Sequence, residues 1–369
     1  MGSFITWRSS RWAAALVAVA LVAGACAPAA APTPAPATPA PAAVWYAAPV
    51  PLAAGAQALC TGLAYEPGAV PRVAYMPPAT EFPYYMAIGE GIKALAAARG
   101  VDTFMLAPHS GADILGQMGM IADVIAMDVD AIILSTHDEG AAAPLVRRAV
   151  DQGIAVILVN SDILAFPSPV HGVVGYRQRP GTYKLGLYAI QAAAGQEHKV
   201  GIIEGLPGYH STERVGGFVD AIQAAPNFEI VASIPGGWNV EGGNVAGTDL
   251  LQAHPEITML FAANDYMIHG AAMAAKALGR EGLILYGNDG DTNSGLEPIA
   301  AGDVTATVDT SPFAMGEVSL QVVLDCLSGK FAGGFVETPV QVVDSTNVTA
   351  ILCRPERLYP QPHKTYTCP

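Results

Sequence analysis

Charge is scarce in this 369-residue chain: Asp, Glu, Lys and Arg make up only 14% of it, with eighteen basic residues against thirty-two acidic ones. The basic residues form no cluster, and a net charge of −14 repels a phosphate backbone, so nucleic-acid binding is excluded as an expectation. Cysteine is sparse too. The five are Cys26, Cys60, Cys326, Cys353 and Cys368, and no pair has the C-x-x-C spacing that a zinc site or redox motif needs. The chain also lacks a Gly-x-Ser-x-Gly elbow, a His-Glu-x-x-His pair and a phosphate-cradling glycine loop. Asp289 and His210 have the chemistry of an acid/base pair, but no nucleophile with an orienting partner accompanies them. The expectation is therefore a binding protein, not an enzyme, with no metal and no cofactor. What the chain does have is apolar residues, 51% of the total, which is enough for a large core.

The longest purely apolar or small-residue run near the start, Ala13 to Ala25, is too short to span a hydrocarbon core of about 30 Å. Arg8 and Arg11 precede it and Ala-Gly-Ala closes it before Cys26, the layout of an export signal. Small residues followed by Cys resemble the lipobox of bacterial lipoproteins, which implies an acylated Cys26 as membrane anchor. A plain signal peptide cut near Ala-Gly-Ala is the alternative. Residues 27–53 are almost entirely Ala and Pro, an extended composition that suits a tether and cannot build a core. Without Cys26 an even four cysteines remain, so disulfides are plausible in an exported chain, with three possible pairings. A clip joining Cys60 to Cys353 or Cys368 over the hinge is one expectation, and a free buried thiol is the alternative for Cys326.

From Pro71 onward, short apolar runs alternate with helix-length segments. Arg72–Met76, Thr103–Leu106, Ala131–Leu134 and Ala155–Val159 read as buried strands, separated by helical patterns at Tyr84–Arg99, Asp113–Met127 and Ala141–Gln152. The alternation resumes after Val173–Gly175 and runs to a last strand at Val336–Val343. Two successive βα series predict an α/β fold of two doubly wound parallel-sheet lobes. Ligands in such sheets bind beyond the carboxyl ends of the strands. Four strand ends carry polar residues there: Ser135-Thr136-His137-Asp138, Asn160-Ser161-Asp162, Asn264-Asp265 and Asn288-Asp289-Gly290.

These residues resemble the periplasmic sugar-binding proteins of ABC importers, of the ribose- and galactose-binding type. The resemblance covers roughly Arg72 to Val343. It rests on Phe82-Pro-Tyr84-Tyr85-Met86, Ala131-Ile-Ile-Leu-Ser135, Thr212-Glu-Arg214-Val-Gly-Gly-Phe218, His254-Pro255, Phe261-Ala-Ala-Asn264-Asp265 and Gly287-Asn-Asp289-Gly290. It implies a type I periplasmic binding protein fold with a multi-strand hinge near Val174–Arg177, Asp309–Ser311 and Phe331–Phe335. The expected parts are a signal at 1–25, an acylated Cys and tether at 26–70, and a Cys/Pro-rich tail at 345–369. Between them lie an N-terminal lobe from 71–175 and 310–333 and a C-terminal lobe from 176–309 and 334–344. The implied function is capture of a small polar ligand, a monosaccharide or polyol, and delivery to an ABC permease by a monomer outside the cytoplasm. A sensor feeding a chemoreceptor or membrane kinase is the alternative.

Asn160, Arg214, Asn264 and Asp289 are expected to hold hydroxyls, since planar polar side chains grip adjacent hydroxyls in pairs. The resemblance implies that Tyr84, Tyr85 and Trp238 cover the apolar sugar faces and that Thr310 adds a polar contact, with His210 a further candidate. Adjacent helical tyrosines point about 100° apart, so one of Tyr84 and Tyr85 is a candidate core residue. Asn264 is also a candidate helix cap, and His137 is read as structural. Phe82 departs from the family pattern, standing where Asn or Asp is usual. Asn160-Ser161 likewise replaces Asp-Arg.

Overall fold

The computed structural model describes residues 46–63, 65–66 and 68–368; the export signal, Cys26 and most of the Ala/Pro tract lie outside them. In the first lobe, strand β1 (Arg72–Met76) leads to helix α1 (Pro83–Arg99), then β2 (Asp102–Met105), α2 (Ile114–Ile125), β3 (Ala131–Leu134), α3 (Glu139–Asp151), β4 (Ala155–Val159) and β5 (Gly172–Gly175). The second lobe begins with α4 (Gln178–Ala193) and β6 (His198–Glu204), followed by α5 (Tyr209–Ile222), β7 (Phe228–Pro235), α6 (Val240–Ala253), β8 (Met259–Ala262) and α7 (Asp265–Ala277). It continues through β9 (Ile284–Asp289), a wide π turn at Thr292–Leu296, α8 (Glu297–Ala301) and β10 (Ala306–Asp309). Helix α9 (Pro312–Leu327) returns to the first lobe, packing on α1, β3, β4 and β5. Strands β11 (Gly334–Glu337) and β12 (Gln341–Asp344) and the short α10 (Val348–Leu352) complete the order.

Each lobe holds one six-stranded sheet, in the orders β11-β5-β4-β3-β1-β2 and β12-β10-β9-β8-β6-β7. All pairings are parallel except β10 with β12. Helices cover both faces, so the central strands are buried throughout and read as continuous apolar runs. The period of two still sorts their side chains. Val73, Tyr75, Ile133 and Ile157 enter the core shared with α1 and α9, while Ala74, Met76, Ile132 and Leu158 enter the one beneath α2 and α3. Burying each large aliphatic side chain contributes about 1.5–3 kcal/mol. Helices α1 and α9 cross at Gly91 and Gly316. A Cβ at either would overlap the other helix's backbone, at Phe313 or Ile88 respectively, so this contact tolerates no side chain there.

Three boundaries differ from expectation. The predicted strand Val336–Val343 is two strands in different sheets: Phe335 pairs with Val173 in the first, and Val342 with Val308 in the second. The third crossover therefore lies at 338–340, not at Phe331–Phe335, whose Phe335 is wholly buried in the first lobe. The segment from 46 to 60, assigned to the tether, packs on that lobe. Val50 bridges Phe335, Leu52 and Ala56 are buried, and the Tyr46 hydroxyl donates to Asp325 at 2.8 Å. The disulfides are Cys60–Cys326 and Cys353–Cys368, not a link from Cys60 to the tail. Cys326 lies on the buried face of α9 with its Cα 5.1 Å from that of Cys60, so the packed N-terminal segment meets it first. The tail pairs Arg357 with Glu317 on α9 at 2.6 Å and returns to Glu297 on α8 through His363 and Tyr366. Among the described residues, no helix is long and apolar enough to cross a membrane.

Candidate functional site

The carboxyl ends of both sheets face one cavity, lined from both lobes. From the first lobe come Phe82, Tyr84 and Tyr85 at the start of α1, His137 after β3 and Asn160 after β4. The second lobe contributes His210 and Arg214 on α5, Trp238 before α6, Asn264 and Tyr266 at the start of α7, and Asp289 at the end of β9.

Arg214 is the hub. Its Nε donates to Gln178 Oε1 at 2.9 Å, and its Nη1 donates to Asp289 Oδ1 at 2.9 Å and to the Ala263 carbonyl at 3.2 Å. Its guanidinium carbon stands 5.5 Å from the Trp238 ring and 5.8 Å from that of Tyr176, in range for cation–π attraction. Only 5% of the Arg214 side chain and 4% of the Asp289 side chain are exposed. Burial pushes the Asp289 carboxyl up from its usual 3.8 to about 7, against the pull of Arg214, whose guanidinium stays charged. Arg214 Nη2 and Asp289 Oδ2 make no hydrogen bond among the described residues. Both the guanidinium and the carboxylate thus keep a group without a protein partner, a donor and an acceptor of the kind a vicinal diol can use.

Two side chains sit on unusual backbone. Trp238 has φ 68° and Asn160 φ 59°, both left-handed; Asn tolerates this region, whereas a bulky ring there stores strain of order 1–3 kcal/mol. Trp238 is held by its backbone N–H donating to Met267 Sδ (3.3 Å) and by Asn264 Nδ2 donating to its carbonyl (3.1 Å). A Cβ at Gly205 would overlap the indole, so only glycine lets the ring lie there. Asn264 Oδ1 meanwhile caps α7 through Met267 N–H at 2.9 Å. Asn264 is therefore both cap and brace as well as cavity wall.

Both tyrosines line the cavity, and both are also buried members of the core. They occupy the first turn of α1, where the helix end leaves the neighbouring directions open. The Tyr84 hydroxyl donates to Asn160 Oδ1 at 3.0 Å and lies 2.8 Å from the Thr310 hydroxyl. Asn160 Nδ2 donates to the Tyr85 hydroxyl at 3.3 Å. Thr310 is wholly buried behind Tyr84, donates to the Asp289 carbonyl at 2.9 Å and does not line the cavity. It braces the wall instead of contacting a ligand. The Tyr84 N–H donates across the cleft to the Tyr266 hydroxyl (2.9 Å), which itself donates to Asp291 (2.7 Å).

Sequence reasoning missed Tyr266, treated Phe82 only as a departure and set His137 aside. Tyr266 repeats the placement of Tyr84, in the first turn of the helix after a strand, which is the signal that finds it. Phe82 joins the aromatic wall, 6.1 Å from Tyr85 and 6.3 Å from Tyr266 between ring centres. Asp265, beside Asn264, is wholly buried and serves structure. It accepts from the Gly290 and Asp291 N–H groups and the Thr307 hydroxyl. No cluster of His, Cys, Asp and Glu suited to a metal ion occurs among the described residues.

The arrangement can enclose a small polyhydroxylated or similarly polar molecule between aromatic faces and wired polar groups. Comparison with known proteins agrees in fold and extent. The family model for a periplasmic binding protein domain matches residues 73–331. The D-ribose/D-allose-binding protein of Pseudomonas aeruginosa is 30% identical over 286 residues, 74% of this chain and 88% of that one. The ribose import binding protein of Bacillus subtilis is 27% identical over 261 residues, covering 70% and 83%. Among solved structures, an ABC transporter periplasmic solute-binding protein from Actinobacillus succinogenes with bound D-allose superposes with a TM-score of 0.71. It is 25% identical and covers 75% of this chain and 99% of that one. With two α/β lobes closed on one polar and aromatic cavity, and with a match across most of its length, the chain belongs to the periplasmic binding protein family.

Proposed function

We propose that this protein captures a monosaccharide or closely related polyol between its lobes outside the cytoplasm and delivers it to an ABC import permease. The single observation that carries this reading is the convergence of Arg214, Asp289, Asn160 and Asn264 with Trp238, Tyr84, Tyr85 and Phe82 on one cavity. Planar polar groups grip hydroxyls and aromatic faces cover C–H faces, the two needs of a sugar ring. Relatives named for ribose and allose support that ligand class. Three crossovers, after β5, after β10 and between β11 and β12, join the lobes, so a ligand touching both walls favours the closed state. Export directed by residues 1–25, with acylation of Cys26 as the membrane anchor, completes the proposal. Asn160, Arg214, Asn264 and Asp289 serve as hydroxyl contacts, and turnover of the ligand is no part of the role.

Calorimetric titration of the mature protein against D-ribose, D-allose, D-arabinose, D-glucose and myo-inositol tests it. Saturable 1:1 binding of at least one is expected. Failure of the whole panel removes the sugar assignment.

A further inference from the structure

Two histidines face the cavity from opposite lobes, and their hydrogen bonds determine which ring nitrogen carries the proton. Arg214 Nε–H only donates, so the group 2.9 Å from it on Gln178 must be the amide oxygen. The amide nitrogen of Gln178 then faces His210 Nδ1 at 2.7 Å, and an NH2 group there only donates. Nδ1 of His210 is therefore the acceptor, and a neutral ring carries its hydrogen on Nε2. On the other side, His137 Nδ1 lies 3.3 Å from the Gly111 carbonyl, which only accepts. His137 carries its hydrogen on Nδ1 and keeps a lone pair on Nε2. Burial pushes both rings below the usual histidine range, with Arg214 adding to this for each, so both are neutral at pH 7. Neither Nε2 has a hydrogen-bond partner among the described residues, and both rings line the cavity. A Cβ at Gly208, two residues before His210, would stand 4.0 Å from the His137 carbonyl, so the lobes meet at this point.

Building on the sugar-capture reading, we infer that His137 and His210 form a two-lobe clamp for one ligand hydroxyl, His210 Nε2–H donating to its oxygen and His137 Nε2 accepting its hydrogen. A hydroxyl satisfies both nitrogens at once. An ether or carbonyl oxygen satisfies only His210, and an ammonium only His137, so the clamp selects for a free hydroxyl at one ring position. Gln178, wholly buried, is the positioning residue that imposes the His210 tautomer through Arg214.

Nitrogen-15 spectra of histidine-labelled protein read tautomers directly. The expected result is an Nε2–H form for His210 and an Nδ1–H form for His137, with Gln178→Leu erasing the preference of His210 alone. In a second arm, the tightest binder among D-ribose, D-allose, D-arabinose, D-glucose and myo-inositol is tested as its singly deoxygenated and singly O-methylated derivatives. One position should lose at least tenfold in the wild type, and His137→Phe and His210→Phe should each abolish most of that discrimination. Thermal unfolding of each variant confirms that it folds. A shared tautomer, or coupling of the two histidines to different hydroxyls, overturns the clamp. If no ligand of that panel binds, the capture reading fails, while the tautomer spectra still decide whether the clamp's donor and acceptor exist.

Discussion

The two walls of the cavity are built on different principles. The C-terminal wall is polar, and apart from Tyr266 the hydrogen bonds that fix it stay within its own lobe: Gln178, Ala263 and Asp289 hold Arg214, and Asn264 holds Trp238. The N-terminal wall is aromatic. Its one amide, Asn160, bonds the hydroxyls of Tyr84 and Tyr85 with one lone pair and one hydrogen. A wall wired within its own lobe keeps its geometry when the cleft opens, so orientation of a ligand belongs to the C-terminal lobe. The aromatic wall supplies contact area and excludes water on closure, which strengthens the polar contacts opposite. Tyr266 links the walls, because its hydroxyl accepts from the Tyr84 backbone.

Breaking the polar wall should have the largest effect. Arg214→Met removes the hub and leaves Asp289 buried without its cation, a change that costs about 3–5 kcal/mol in comparable pairs. Affinity for the cognate sugar should fall more than 100-fold by calorimetry, with a lower melting temperature. An intermediate effect comes from pH. Asp289 ionises near pH 7 in the folded chain and near 3.8 when unfolded, so between these values the folded state binds the extra proton. Its contribution to stability therefore falls as pH rises through that window, whereas affinity, which needs the carboxylate as acceptor, should rise. Titrations from pH 5 to pH 8 should show this opposition, and Asp289→Asn should flatten both slopes. The smallest effect is expected on the aromatic wall. Tyr85→Phe keeps the ring but leaves Asn160 Nδ2 without its acceptor, a loss of about 1 kcal/mol, or roughly fivefold in affinity. If Tyr85→Phe proves as damaging as Arg214→Met, the division of labour between the walls is wrong.

Much of the fold was legible because the central strands are buried on both faces and so stand out as apolar runs between helical patterns. The last strand was misread as one apolar-leaning stretch although Pro339, which cannot donate to a ladder, stands where the chain passes from Phe335's sheet to Val342's. At the site, Asn160, Asn264 and Asp289 were legible as polar residues at strand ends, which have fixed positions relative to the cleft, whereas Arg214 and Trp238 came from the family resemblance. Thr310 was misplaced by one layer of side chains, a distance that no spacing rule resolves. Tyr266 hid in a helix start already accounted for by the Asn264 cap.

Local chemistry along the chain settled the order of strands and helices, the turn residues at the carboxyl ends and the absence of catalytic and metal motifs, because these depend on neighbours a few positions away. Pairings across hundreds of residues were another matter. The union of Cys60 with Cys326, the contact of Tyr84 with Tyr266 and the opposite tautomers of His137 and His210 depend on which surfaces meet when two lobes pack. Such meetings follow from volume and hydrogen-bond satisfaction over the whole molecule, and no stretch of sequence encodes them alone.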